Sequence, residues 1–251
     1  MNADIKLLTY NVQSWDVTER RIEGIFKLIK KYNPDIVFLQ EVTLKWFKLL
    51  KKEFKEIYTF TGRDRLYNDK DCLKRDKERN CVLFKKDRFD LLWSHTYWLG
   101  PDMKHPSKFE GSVFKRIFTA TKLIDLKNNK KIQAISTHFD YLKPEVRKQQ
   151  AEVLADYLKK QKGAIVMGGD FNGEPSEKGY EVIIGVMSDV SKEFKETNIT
   201  YHAYDKFKHE RIDYIFKNKL VEVKEFKLVK DKYEGLPPSD HYPLYAVIKQ
   251  K

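Results

Sequence analysis

Short apolar runs alternate with charged stretches along this chain, and the period of each run predicts what it forms. Residues 4–12, DIKLLTYNV, alternate and then run apolar, which predicts a strand. Ile22, Ile25, Phe26 and Ile29 recur at helical spacing within 17–33, and Pro34 ends that segment. The continuous apolar run of 35–41, DIVFLQE, predicts a strand covered on both faces. LKWFKLLKKEF, 44–54, reads as a second helix. Residues 81–99 read as two strands around a Lys-Lys-Asp-Arg turn, and 113–139 as a hairpin over Asn128-Asn129. A helix is expected around 144–162, with Val146, Val153, Leu154, Tyr157 and Leu158 on one side. AIVMGGDFN, 164–172, predicts a buried strand ending in glycines, and 211–216, 221–229 and 242–249 predict three more. Residues 61–80, TGRDRLYNDKDCLKRDKERN, show no period and many charges, so they read as a loop long enough to be functional or disordered. No repeat, low-complexity tract or linker interrupts the pattern. The expectation is one α/β domain over 1–251, with mixed sheets.

Polar groups recur at the ends of the apolar runs. Asn11 ends KLLTYN, Glu41 ends DIVFLQE, and His138 ends IQAISTH. Asp170 and Asn172 end AIVMGGDFN, Asp213 lies in RIDYIF, and Asp240-His241 precedes YPLYAVI. Strand ends beside short loops are where α/β folds build sites. Each residue alone reads as a cap or a turn; their joint recurrence points to a site.

Composition narrows the class. The 251 residues are 41% hydrophobic and 34% charged, a globular balance with surplus surface charge, and 14% aromatics argue against disorder. No apolar run reaches the roughly 18 residues that span a bilayer. The N-terminus lacks the apolar core of a signal peptide, so a cytoplasmic protein is expected, with a secreted mature form left open. Cys72 and Cys81 lack metal-ligand spacing and are expected to be free thiols. A net charge of +12 favours contact with phosphates of nucleic acid or an anionic lipid surface. Lysines outnumber arginines 39 to 10, a bias that nucleotide composition also produces.

TYNV, LQEV, STHFD, GGDFN, RIDYIF and SDHYPL, in this order over residues 8–244, resemble the endonuclease/exonuclease/phosphatase (DNase I-like) superfamily. In pattern they are most similar to its uncharacterised bacterial members. The resemblance implies a four-layer α/β sandwich, two packed mixed β-sheets flanked by helices. It also implies a phosphoesterase dependent on Mg²⁺ or Mn²⁺; a monomer is expected. Carried over by motif, Glu41 is the primary metal ligand, with Asn11 and Asp240 near it. Asp170 orients or deprotonates the attacking water, and Asn172 donates a hydrogen bond to a phosphoryl oxygen. His241 contacts the phosphate and is held by Asp213. His138 is a second phosphate ligand or proton donor, with Glu78 as its partner. Arg116 is a candidate phosphate-binding cation, and Asp140, two residues beyond His138, is expected to share its strand face and support it. The chain departs from the family pattern in having no clear tyrosine at the phosphate-contacting position; Tyr67 and Tyr141 are candidates without motif support.

The chemistry agrees with the motifs: phosphodiester hydrolysis needs an activated water, a neutralised phosphoryl group and a stabilised leaving oxygen. Hard cations prefer carboxylate oxygens. A nuclease acting on DNA or RNA is the first reading, favoured by net charge and by the cations of 61–80: Arg63, Arg65, Lys70, Lys74, Arg75, Lys77 and Arg79. Arg63 and Arg65 are the expected substrate contacts there. The alternative is a phosphatase or phosphodiesterase acting on phosphoinositides, phospholipids or another small phosphorylated substrate. A binding module without activity would be expected to lose some of these residues.

Overall fold

Alternation along the strands sorts side chains onto two faces, and the faces build different cores. The structure is a computed structural model describing residues 3–67, 77–193, 199–206 and 209–251. Its elements run β1 (Ile5–Asn11), α1 (Glu19–Tyr32), β2 (Ile36–Val42), α2 (Leu44–Phe54), β3 (Tyr58–Thr61), β4 (Arg79–Lys85), β5 (Phe89–Trp98), β6 (Ile117–Asp125), β7 (Lys130–His138), α3 (Pro144–Lys159), β8 (Ala164–Asp170), α4 (Lys178–Ile184), β9 (Ser188–Asp189), α5 (Val190–Glu193), β10 (Asp213–Lys217), β11 (Val221–Leu228) and β12 (Leu244–Gln250). Ile5, Leu7, Ile36 and Phe38 point between the sheets, where they meet Leu123, Ile132, Val166 and Ile215. Their neighbours Leu8, Tyr10, Val37 and Leu39 point the other way, onto Ile25 and Leu28 of α1 and Trp46 and Leu50 of α2. A third core sits between the second sheet and the helices α3 and α4. The layers are therefore helix, sheet, sheet, helix, as the resemblance implies.

The sheets are six-stranded, with orders β11-β12-β1-β2-β4-β3 and β5-β6-β7-β8-β10-β9. Each has a central parallel pair, β1 with β2 and β7 with β8, joined by the crossover helices α1 and α3. The other pairings are antiparallel. Among the described residues no helix is long and apolar enough to cross a membrane.

The strands expected within 81–99 form, but they are not partners. β4 pairs with β2 and β3 in the first sheet, while β5 edges the second and pairs with β6. The turn between them carries the chain from sheet to sheet, and Arg88 in that turn fastens the two. Its guanidinium is buried and bonds Asp35 at 2.8 Å, Asp125 at 3.0 Å, and the carbonyls of Ala3 and Asp4. Removing one partner of such a buried pair strands the other charges in low dielectric.

Arg88→Met should therefore cost about 3–5 kcal/mol of unfolding free energy. The rivet lies where β1 and β2 start and β6 ends, about seven residues or ~20 Å from the strand ends that carry Asn11 and Glu41, so activity per folded molecule should be kept. Urea melts and activity normalised to folded protein check both. An unchanged midpoint would show that Arg88 does not join the sheets.

Candidate active site

Strand register gathers the polar strand ends. His138 lies opposite Asp170 in the β7–β8 pairing, and Asp170 lies opposite Asp213 in β8–β10. In the first sheet Asn11 lies opposite Gln40, one residue before Glu41. The sheets meet here through one amide: Asn11 Nδ2 donates to Glu41 Oε1 at 3.1 Å and across to Asp170 Oδ2 at 2.9 Å. Close approach needs Gly168, since a Cβ there would lie 2.5 Å from the Phe38 ring. Glu41 is aimed by a β-bulge. Val37, Leu39 and Val42 all face the helices, a step regular alternation cannot make, and the register shifts between Leu39 and Val42. Glu41 takes up the extra residue at φ 59°. The side chain then lines a cleft of about 590 Å³ together with His138, Asp170, Asn172, Asp240 and His241.

His241 is the charged centre of this cleft. Its Nδ1 donates to Asp213 Oδ2 at 2.8 Å, and its Nε2 lies 3.8 Å from Asp170 and 4.0 Å from Asp240. Burial alone would push the ring down, but the charge and hydrogen bond of Asp213 and the charges of Asp170 and Asp240 carry it up to about 10. Burial, then the charge of Asp213, raises Asp170 to about 7, against the pull of His241, Asn11 and the Asn172 N–H. Glu41 moves the other way. Burial opposes ionisation, yet the Ser14 N–H (2.7 Å to Oε2), the Asn11 amide and the charge of His241 hold it below its ordinary value. Burial raises Asp240, with His241 opposing.

His138 is neutral: burial, then the charges of Arg116, His241 and Arg65, hold it well below its ordinary value. Asn172 fixes its tautomer. The amide nitrogen donates to Phe139 O at 3.0 Å, so it also donates to His138 Nε2 at 2.9 Å, which leaves the ring proton on Nδ1. Both amide hydrogens of Asn172 are thereby engaged in this arrangement. His138 Nδ1 and Arg116 Nε are buried without a partner among the described residues. Arg116 is 5% exposed and lines the cleft.

Other expected contacts fall elsewhere. Glu78 lines the cleft but bonds Arg65 at 2.7 Å, not His138. Asp140 lies beyond the end of β7, so it does not share a strand face with His138. Fully buried, it accepts from Ser112 Oγ at 3.0 Å and the Val113 N–H at 2.8 Å, anchoring the segment that carries Phe114 and Arg116. Arg65 is 3% exposed, and Arg79 pairs with Asp64 at 3.2 Å. Neither offers a free cation at the surface. Arg63 lines a separate cavity, as does Tyr67. Lys70, Lys74, Arg75 and Cys72 lie outside the described residues, and Cys81 is a buried free thiol.

Sequence reasoning missed residues that hold the loops. Arg21 is fully buried and bonds the carbonyls of Val12, Gln13 and Pro238. It ties the segment after β1 to the one before His241. Gln13 Nε2 donates to Asp240 Oδ2 at 2.9 Å, and Tyr204 Oη donates to Gln13 Oε1 at 3.1 Å. The Tyr201 ring packs 4.9 Å from His241. Trp15, 77% exposed, and Tyr141 stand at the cleft mouth. Arg21 shares the buried face of α1 with Gly24, Ile25 and Leu28, so a charged residue at helical spacing from apolar ones was the signal that could have found it; the Trp beside TYNV was an aromatic near a strand end.

Ionised Glu41, with the Asp240 carboxyl lining the same cleft, offers hard oxygen donors, which fits a divalent cation. Ligand atoms of Asp170, Asp213 and His241 also lie within 4.8 Å of one another. There, however, His241 Nδ1 is bonded to Asp213 and the ring is an imidazolium, which ligates nothing. In this arrangement that trio is an ion-pair cluster.

The model of the Endonuclease/Exonuclease/phosphatase family matches residues 8–241. The curated Tyrosyl-DNA phosphodiesterase 2 of Bos taurus is 31% identical over 72 residues, 28% of this chain and only 20% of that protein's length. Among solved structures, an endonuclease/exonuclease/phosphatase from Bacteroides vulgatus is 27% identical with a TM-score of 0.87, covering 100% of both chains. A mannosyl-6-phosphatase of Bacteroides thetaiotaomicron is 22% identical, TM-score 0.86, over 98% of this chain and 100% of that one. TDP2 of D. rerio, solved with a single-strand DNA product, is 19% identical, TM-score 0.82, over 99% and 100%. The last two share the fold.

The raised His241 has a measurable consequence. A folded-state value above the ordinary one contributes stability that is full below about pH 6.5 and is lost as pH rises towards 10. Asp213→Asn removes the leading cause of the rise. Unfolding free energy measured in chelator should fall between pH 6.5 and 10 in the wild type and fall less steeply in Asp213→Asn, where Asp170 and Asp240 alone still raise the ring. Equal slopes would mean that Asp213 does not hold an imidazolium.

Proposed function

The chain belongs to the Endonuclease/Exonuclease/phosphatase family, and on that footing we propose that it is a divalent-metal-dependent phosphodiesterase hydrolysing phosphodiester bonds in DNA or RNA. The observation that carries this reading is the fixed imidazolium of His241 between Asp213 and Asp170, in the same cleft as ionised Glu41. A cation held at a strand end suits the charge that develops on phosphoryl oxygens in the transition state. Arg116, buried and lining the same cleft, supplies a second positive group.

Asp170, raised to about 7, is suited to take a proton from an attacking water near neutral pH. The Asn11 amide orients that carboxylate. Neutral His138 lines the cleft with its Nδ1–H buried, held in that tautomer by Asn172. Glu41 and Asp240, with Asn11 beside them, would hold Mg²⁺ or Mn²⁺. When bound, such a cation neutralises phosphoryl charge and activates water.

The net charge of +12 favours a polynucleotide over a neutral ester. The 72-residue similarity to a protein named for a DNA phosphodiester points the same way. A small phosphorylated substrate is the second reading, and the shared fold with a mannosyl-6-phosphatase favours it.

Activity should require added Mg²⁺ or Mn²⁺ and vanish in excess chelator. Glu41→Gln, which keeps shape but loses ligand charge, and His241→Ala, which removes the imidazolium, should each lower turnover by about 10²–10³-fold or more. A panel of single- and double-stranded DNA, RNA, a tyrosyl-phosphodiester, phosphoinositides and sugar phosphates identifies the substrate. Full activity in chelator, or hydrolysis of sugar phosphates alone, would overturn the nuclease reading.

A further inference from the structure

A second cavity, of about 400 Å³, lies beside the active cleft. Arg63 and Tyr67 form one wall, and His95, Lys104 and His105 another, over a floor of Thr96 and Trp98. Among the described residues, no acidic side chain lines it. The wall is built rather than draped: the Arg63 N–H donates to Thr96 Oγ1 at 2.9 Å, tying residue 63 to β5. Its guanidinium stacks 4.2 Å over the Tyr67 ring. Arg65, Arg79 and Arg88 all pair with carboxylates. The Arg63 guanidinium has no carboxylate partner among the described residues, and neither does Lys104 Nζ. Burial, then the charge of Arg63, holds His95 below its ordinary value, so this ring is a neutral donor beside fixed charges.

Arg65 separates this cavity from the active cleft. Trp98 Nε1 in the cavity floor donates to Arg65 O at 2.8 Å. On the other side the Arg65 guanidinium pairs with Glu78 and lies 4.1 Å over Phe114, both of which line the cleft. Two unpaired cations, neutral imidazole and hydroxyl donors and an aromatic face suit a phosphate carrying a planar ring. We propose that the cavity is a second anion subsite, which holds a backbone phosphate of a polynucleotide whose scissile phosphate lies in the active cleft. The choice of polynucleotide rests on the nuclease reading above. Arg63 thus acts from this neighbouring cavity, and buried Arg65 serves as the partition between the two.

The test compares single-stranded oligonucleotides of two and twelve residues. In the wild type KM should fall with length, because only the longer strand reaches the subsite. Arg63→Gln/Lys104→Gln should erase that gain, raising KM for the twelve-mer about tenfold, the equivalent of roughly one charged hydrogen bond, with kcat little changed. The salt dependence of twelve-mer binding to Asp170→Asn should flatten by about 0.7 in log–log slope for each phosphate that the added Gln substitutions leave without a cation. Binding is also read from the His95 ring signals by NMR, which should shift with the twelve-mer and not with the dinucleotide. Cleavage with the length dependence intact in the variant, or without a His95 shift, would overturn the subsite. Equal losses on both lengths would do the same, since they report a general defect. Binding that shifts His95 without any cleavage would sustain the subsite and sink the nuclease reading. Neither binding nor cleavage of any polynucleotide would overturn both.

Discussion

Asp170 and Asp213 are buried opposite one another on adjacent strands, and the imidazolium of His241 is what permits them to stay there. Two carboxylates this close repel in low dielectric, and one of them is normally forced to take up a proton. His241 lies against both and offsets much of that repulsion. Burial, and after it the residual repulsion from Asp213, raises Asp170 to about 7. The requirement for a cation at this point organises its surroundings. Arg21 and Gln13 hold the segment that carries Asp240 and His241, and Thr200 accepts the N–H of Asp213.

The same electrostatics divide the labour between the histidines. His241 has a carboxylate on Nδ1 and is charged; His138 has an amide donating to Nε2, lies near Arg116, and is neutral. One supplies fixed positive charge and the other a polar donor. Both follow from which side chain the register places beside each ring. Cleft chemistry also depends on the sheets approaching closely, which Gly168 permits, and on the bulge that aims Glu41.

Much of this was legible in the chain, because the informative signals are local. β1, α1, β2, α2 and the β6–β7 hairpin follow from apolar period and turn residues. The six motifs that carry Asn11, Glu41, His138, Asp170, Asp213 and His241 each close a strand or begin one. What was hidden depends on contacts between distant segments. Nothing near Lys85 or Arg88 reveals that the chain changes sheets there, since the partners Asp35 and Asp125 are 53 and 37 residues away. Glu78 looks like a partner for His138 until Arg65 claims it. β3 and α4, four and seven residues long, are too short to show a period.

The account turns on His241 being an imidazolium held by Asp213, and the protonation of that ring can be observed directly. In metal-free protein at pH 8, nitrogen NMR of the histidine side chains should show both ring nitrogens of His241 protonated, while His138 is neutral with its proton on Nδ1. A neutral His241 ring at pH 8 would contradict the account, because the cleft would then lack the positive charge around which its carboxylates are arranged.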